Sequence, residues 1–220
     1  YPTRGAIYAV AAFQKDIGTF VQSLSTQVPF SELGLPASLL EGSLASPTDI
    51  FIVSQPVNSS GGKLRGFEVN VQQPFSFLPG ALSNFGVLAN YTYVDSDIDY
   101  LTAADGSSSV RASLIGLSKH AANGTLYYED RKFSIRGSVA YRSSYLTAVP
   151  GTEGNSYNGT NRTINVDAQM SYNLTDSLKL SLEAINLTDE ENDQFVDETN
   201  RLNVLTHSGR QFNLGARFAF

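Results

Sequence analysis

Along most of this chain, apolar and polar residues alternate one by one. The last strand-like stretch sets Phe212, Leu214, Ala216, Phe218 and Phe220 on one parity and Gln211, Asn213, Gly215 and Arg217 on the other. Successive side chains of a strand point to opposite faces, so this stretch has one oily face and one wet face. The pattern recurs upstream. Ile164, Val166, Ala168, Met170 and Tyr172 alternate without error with Asn165, Asp167, Gln169 and Ser171. Leu178, Leu180, Leu182 and Ala184 alternate with Lys179, Ser181 and Glu183. Phe133 to Arg142, Asn123 to Tyr128, Phe85 to Tyr93 and Phe67 to Gln72 repeat it, while a first strand over about 5–21 is less cleanly patterned.

The alternation predicts about eight strands, each of roughly ten residues or more. Such lengths suit a tilted strand crossing a bilayer, whereas soluble strands average nearer five or six residues. The connections alternate too. Short ones lie near Pro79-Gly80, 129–132 and 174–177; long ones cover about 22–62, 96–119, 146–162 and 188–207. Short turns at one end and long loops at the other are the pattern of outer-membrane barrels. Aromatics gather in two belts, Tyr128, Phe133, Tyr172, Phe218 and Phe220 toward the turns and Tyr91, Tyr93, Tyr141 and Tyr145 toward the loops, as the two membrane interfaces select.

Composition agrees. The 220 residues suffice for one sizeable domain, with 18 Gly, 11 Tyr and 13 Phe. The chain contains no apolar run long enough for a transmembrane helix, but barrel strands, being only half apolar, escape that criterion. Cysteine is absent, which removes disulfides, thiol nucleophiles and cysteine metal sites. A net charge of −6 argues against a nucleic-acid partner. No signal peptide is recognisable at Tyr1, which stands just before a strand, as expected of a piece cut from a longer chain.

A set of ordered segments resembles the C-terminal barrel of TonB-dependent outer-membrane receptors. They are Gly66-Phe-Glu-Val69 after a loop containing Asn58, Ala89-Asn-Tyr-Thr-Tyr-Val-Asp-Ser96, Ser118-Lys-His120, Leu126-Tyr-Tyr-Glu129, Arg136 with Tyr141-Arg-Ser143, Glu183-Ala-Ile-Asn-Leu-Thr-Asp-Glu190, and Gly209-Arg210 ahead of the terminal strand. The resemblance implies an antiparallel, up-and-down transmembrane β-barrel segment, about eight strands of a 22-stranded barrel, with residues 1–220 forming the C-terminal part and the plug domain absent. It further implies TonB-driven uptake of a siderophore, cobalamin or carbohydrate, with TonB engaged through N-terminal parts missing here. Outer-membrane lipid, a small-molecule nutrient and the barrel assembly machinery are the implied partners. The assembly machinery is expected to read the terminal aromatic Phe220, unless that residue is only an interface anchor.

The candidate chemistry is sparse. Asp95-Ser-Asp97-Ile-Asp99 opens like a calcium loop but has Tyr100 and Gly106 where Gly and Glu are required. It reads as a solvated acidic loop, with a metal or lipopolysaccharide-bridging cations as the lesser alternative. Asp189, Glu190, Glu191 and Asp193 read as a second solvated cluster. His120 and His207 lack metal-ligand spacing. Gly61-Gly62-Lys63 is not a phosphate loop, because the earlier Gly and the following Ser or Thr are missing. Asn158-Gly-Thr160 and Asn161-Arg-Thr163 would accept glycans only in a eukaryotic secretory setting.

No catalytic, cofactor or metal residues are assigned, and the chain reads as no enzyme. The wet-parity residues Asn90, Asp167, Gln169, Lys179, Glu183, Asn213 and Arg217 are expected to face a lumen, since a charge facing lipid at mid-membrane costs up to about 2–4 kcal/mol. Arg136, Arg142, Lys179 and Arg217 are available to pair there with Glu68, Glu129, Asp167 and Glu183. Val166, Ala168, Met170, Leu180, Leu182, Leu214 and Phe218 are expected to face outward. Two rivals are a complete eight-stranded structural or adhesion barrel, in which the first and last strands would pair, and a soluble β-sandwich binding module, in which a second layer would cover the oily face. A wall segment should instead be an open sheet with two unpaired edges.

Overall fold

The computed structural model describes residues 5–219, which are all-β apart from short 3-10 turns. In chain order the strands are β1 (Ile7–Ile17), β2 (Phe20–Pro29), β3 (Ile50–Ser59), β4 (Gly61–Pro74), β5 (Phe85–Leu101), β6 (Ser109–Ala112), β7 (His120–Glu129), β8 (Phe133–Arg142), β9 (Tyr145–Ala148), β10 (Asn158–Thr160), β11 (Thr163–Asn173), β12 (Leu178–Ile185), β13 (Asn192–Val196), β14 (Arg201–Thr206) and β15 (Gln211–Phe218). The main sheet runs β1-β4-β5-β7-β8-β11-β12-β15, every pair antiparallel, with β6 added against β5. These eight path strands are the ones the alternation predicts.

The register shows why the alternation matters. Phe85, Tyr128, Ile135, Met170, Leu182 and Leu214 are direct partners across six strands, and so are Val87, Leu126, Gly137, Ala168, Ala184 and Phe212. One residue along lies Gly86, Tyr127, Arg136, Gln169, Glu183 and Asn213. A one-residue slip in any strand would exchange the two sets. The apolar face is bare: Leu214 is 85%, Val10 76% and Phe212 64% exposed. Among the described residues no second layer covers it, unlike the core face of a sandwich. β1 and β15 stand at opposite ends of the strand order, so the sheet is open and is not a closed eight-strand ring.

The long loops differ from the sequence expectation, because they carry strands of their own. β2 and β3 pair from Phe20↔Ser59 to Pro29↔Ile50, prolonging the β1–β4 ladder beyond a step at Gly18. The first strand therefore splits in two, and most of 22–62 is a hairpin. Its parity is mixed because no single solvent acts on a whole face there. Gln22 fixes the hairpin to the sheet: its amide accepts from Leu101 N and donates to Leu101 O, both at 2.8 Å. The later loops form a second small sheet, β14-β13-β10-β9, with register shifts at Asn158/Gly159 and Gln194/Phe195.

Strand β5 inverts its polarity partway along. Up to Tyr93 the apolar parity continues through Val87, Ala89 and Tyr91; beyond it the same parity carries Asp95, Asp97 and Asp99. The opposite parity changes from Asn90 and Thr92 to Val94, Ser96, Ile98 and Tyr100, all buried. Ile98, Tyr100 and Val149 form a core packed by Ile17, Phe20, Leu114, Leu146 and Tyr157. The Tyr100 hydroxyl donates to Ser113 O at 3.1 Å and accepts from Ile115 N at 2.9 Å, and burial pushes its pKa up.

Two local devices hold the sheet. At Gly61-Gly62 the backbones approach too closely for a side chain: a Cβ on Gly62 would lie 1.9 Å from Asp97 O. This is the structural reason for the glycine pair ahead of Lys63. At the other end of the sheet, the segment 186–190 is knotted by Asn186, whose φ of 57° is in the left-handed region. Its backbone N–H donates to Asp167 Oδ1 at 2.9 Å, its Nδ2 donates to Glu190 O at 3.1 Å and Gly209 O at 3.2 Å, and its Oδ1 accepts from Glu190 N at 2.7 Å. Thr188 Oγ1 adds a bond to Ile164 O at 2.8 Å. The knot joins the loop-side ends of β11, β12 and β15.

Asn186→Ala removes buried hydrogen bonds and strains the backbone, and should lower stability by about 2–4 kcal/mol, with Asn186→Gly recovering about 1 kcal/mol of that. Melts of the full-length protein in detergent would check this, and equal losses would show that the left-handed backbone contributes nothing. Gly62→Ala should cost about 1–3 kcal/mol by overpacking against backbone. Gly137→Ala, where a Cβ would meet nothing within 4 Å, should be close to neutral in the same melts.

Candidate functional site: the polar face and its mouth

The polar face brings together most of the residues picked out by alternation. Gln169 sits between Arg136 on β8 and Glu183 on β12, and its Nε2 donates to Glu183 Oε1 at 3.1 Å. Asp167 lies opposite Ser138, and Asn213 opposite Glu183. A cavity of about 280 Å³ on this face is lined by Arg136, Ser138, Asp167, Gln169 and Glu183. A neighbouring one of about 350 Å³ includes Glu129, Ser134, Lys179 and Arg217. Asn90 stands apart, accepting from Asn123 Nδ2 at 2.9 Å. Phe220 lies outside the described residues.

The expected ion pairing on this face does not form. Among the described residues, none of the salt bridges joins Arg136, Arg142, Lys179 or Arg217 to Glu68, Glu129, Asp167 or Glu183. Lys179 and Arg217 are instead direct partners across β12 and β15, two like charges side by side. Parity places charges on a face but does not place opposite charges next to each other.

Arg142 has a different task. Its Nε donates to Ser118 Oγ at 2.7 Å, a second guanidinium nitrogen donates to Gly116 O, and the guanidinium stacks 3.7 Å from the Tyr145 ring centre. It anchors the 116–118 loop and opens a cavity of about 420 Å³ at the loop end of the polar face, lined by Arg142, Tyr145, Thr160, Asn165, Asn186 and Glu190. Guanidinium, phenol, amide and carboxylate groups converge there, a set suited to hydrogen-bonding a polar small molecule. Tyr145 and Arg142 are three residues apart in different strands, so no periodicity in the sequence marks the pair.

The acidic segments behave as solvated structure. Asp95 accepts from Lys119 Nζ at 3.0 Å and Arg65 at 3.4 Å, and Asp99 binds Arg111 Nε at 2.9 Å. The Lys119 hydrogen bond leads in holding the Asp95 carboxyl below the usual carboxylate range. His120 belongs to the loop-side aromatic belt, its Nδ1 2.7 Å from the Tyr91 hydroxyl. His207 lies 3.1 Å from Asp189. Among the described residues, no group of three His, Asp or Glu side chains is placed to hold a metal ion.

Comparison with known proteins agrees with this architecture. No curated protein sequence matches the chain. Among solved structures it is similar to the siderophore receptor PiuA from Acinetobacter baumannii, at 16% identity and TM-score 0.52 over 74% of this chain and 23% of that one. It is similar to the ferric-catecholate import receptor Fiu from E. coli, at 19% identity and TM-score 0.53 over 96% of this chain and 34% of that one. It is also similar to a mutant of the ferric enterobactin receptor PfeA from Pseudomonas aeruginosa, at 14% identity and TM-score 0.59 over 100% of this chain and 30% of that one. The chain therefore spans between 23% and 34% of the length of these receptors. A family model described as TonB dependent receptor-like, beta-barrel matches residues 1–187. That match covers more than half of the chain, and the chain belongs to the TonB-dependent receptor β-barrel family.

Proposed function

We propose that this chain is a wall segment of a TonB-dependent receptor of the bacterial outer membrane, the C-terminal part of a 22-stranded barrel, which takes up a scarce nutrient. The observation that carries the reading is the two-faced sheet: unbroken apolar rows left bare on one side, and polar rows with uncompensated charge on the other. The bare rows suit lipid, and the polar rows suit the interior of a wide barrel. On this reading Asn90, Asp167, Gln169, Lys179, Glu183, Asn213 and Arg217 line the lumen. The free edges of β1 and β15 call for neighbouring strands, because open edges do not persist in hydrocarbon. TonB would act through parts of the protein outside this chain, and Phe220 would be read by the barrel assembly machinery.

The three structural neighbours are described as siderophore, ferric-catecholate and ferric enterobactin receptors, which favours an iron chelate over cobalamin or carbohydrate as the nutrient. The mouth cavity at Arg142 and Tyr145 is where such a ligand would first meet polar groups of this segment. Deleting the full-length gene should abolish iron-limited growth on one ferric siderophore, and TonB loss should have the same effect. Normal growth on every siderophore, with loss of uptake of another nutrient, would overturn the iron assignment and keep the receptor.

The assignment of faces has its own test. Val166→Arg should destabilise the full-length barrel in lipid by about 2–4 kcal/mol, as a cation placed against hydrocarbon does. Gln169→Arg, on the polar face, should stay within about 0.5 kcal/mol. Reversible unfolding in phospholipid vesicles measures both, and the opposite ranking would put the polar face against lipid.

A further inference from the structure

We propose that the cavity at the loop end of the polar face is a binding site for an uncharged, hydroxyl-bearing group, such as a sugar ring or another polyol presents. The inference rests on the reading of this face as the lumen of an uptake receptor, and it names the chemistry that the nutrient offers to this wall.

The observation that carries it is Thr160. This residue is 4% exposed, yet among the described residues its hydroxyl makes no hydrogen bond. The other buried polar side chains have partners: Gln22 with Leu101, Ser59 with Phe20, Gln73 with Tyr8, Ser96 with Leu114, Ser118 with Arg142 and Asn186 with Glu190. A hydroxyl taken out of water without a partner is costly, and native structures rarely keep one. Among the described residues, no unpartnered side-chain oxygen or nitrogen is wholly enclosed. The Thr160 hydroxyl therefore meets open space, and the space it borders is the cavity of about 420 Å³. The local fold aims it there. Thr160 on β10 is the direct partner of Tyr145 on β9, so the two side chains share a face. The opposite face, at Gly159, is covered by Phe195, whose ring would lie 2.2 Å from a Cβ on that glycine.

The rest of the lining fixes the chemistry of the ligand. Arg142 spends two of its five N–H donors on Ser118 and Gly116 and rests on the Tyr145 ring, so it stands fixed with donors to spare. Glu190 and Glu191 join no ion pair among the described residues, and an ionised carboxylate can only accept. The side chain of Asn165, also without a partner among the described residues, both donates and accepts. A ligand that satisfies this cavity must donate to carboxylates and accept from a guanidinium. An ionised oxygen only accepts, and it adds a like charge to two glutamates. An ammonium only donates, and it is repelled by Arg142. A hydroxyl does both and carries no charge. The volume is that of an ordinary small-molecule pocket.

The test uses the full-length receptor in a detergent without sugar groups, titrated calorimetrically with glucose, maltose and myo-inositol in turn, and with glucuronate as the anionic counterpart of glucose. At least one uncharged polyol should bind saturably, and Thr160→Val should weaken that binding roughly fivefold, the worth of one hydrogen bond. Glucuronate should bind on the order of tenfold weaker than glucose, and Glu190→Gln with Glu191→Gln should narrow that gap. No saturable binding of any of the three polyols, or equal binding by wild type and Thr160→Val, would overturn the proposal. If Thr160→Val does not fold, Glu191→Gln alone, at an exposed position, should still narrow the glucose–glucuronate gap, and an unchanged gap would overturn it. In cells, whichever labelled nutrient the Thr160→Val receptor takes up more slowly, iron chelate or maltose, carries the hydroxyls. A receptor that binds polyols in detergent but imports nothing would sink the uptake reading and leave the site standing.

Discussion

Hydrocarbon offers no hydrogen bonds, so every backbone N–H and C=O placed in it must find its partner within the protein. For strands this means long, uninterrupted ladders with neighbours on both sides. The β4–β5 pair, in register from Gly61↔Asp99 to Pro74↔Gly86, and the β8–β11 pair, from Thr163↔Arg142 to Tyr172↔Phe133, show the result. On the proposed reading, the same constraint leaves β1 and β15 in need of neighbouring strands. It also explains why the irregular features, the bulges of the β14-β13-β10-β9 sheet and the knot at Asn186, are gathered at the loop end.

The inversion of β5 at Tyr93 shows how solvent writes sequence. On the proposed reading, lipid takes the outer parity below that residue and water the inner one. Above it water reaches the outer parity, which becomes Asp95, Asp97 and Asp99. The inner parity is roofed by the 114–117 and 146–157 loops and turns apolar, ending in the fully buried Ile98 and Tyr100. One strand thus belongs to a membrane wall along one half and to a water-soluble core along the other.

That inversion also separates what was legible in the sequence from what was not. The nine alternating residues Ile164 to Tyr172 announce β11 because one face meets a uniform apolar medium. The eight-strand path, its turns and the two faces follow from the same signal. Beyond the apolar zone the signal fades: β2 and β3 mix Val, Leu, Ser and Gln on both faces, and their ten-residue pairing passes for a loop. Side-chain partners are less legible still. Arg142 shares a parity with Asp167 and Glu183 but spends its donors on Ser118 and Gly116, two loop residues whose approach depends on the folded mouth. Asn186 was visible only as part of the Glu183–Glu190 segment, since its partners Asp167, on β11, and Gly209, just before β15, lie far from it in sequence.

The two register shifts, at Asn158/Gly159 and Gln194/Phe195, both fall in the small loop-side sheet, while the six-strand rows of the wall run without one. This sets a rule for how such a chain can change length over evolution. Within the wall, insertions and deletions must come in pairs of residues, because an odd change turns every later side chain of that strand to the wrong medium. In the loop-side sheet a single residue can be absorbed as a bulge. Length variation in this segment is therefore quantised in the wall and continuous at the mouth, where a receptor can be retuned without rebuilding the barrel that carries it.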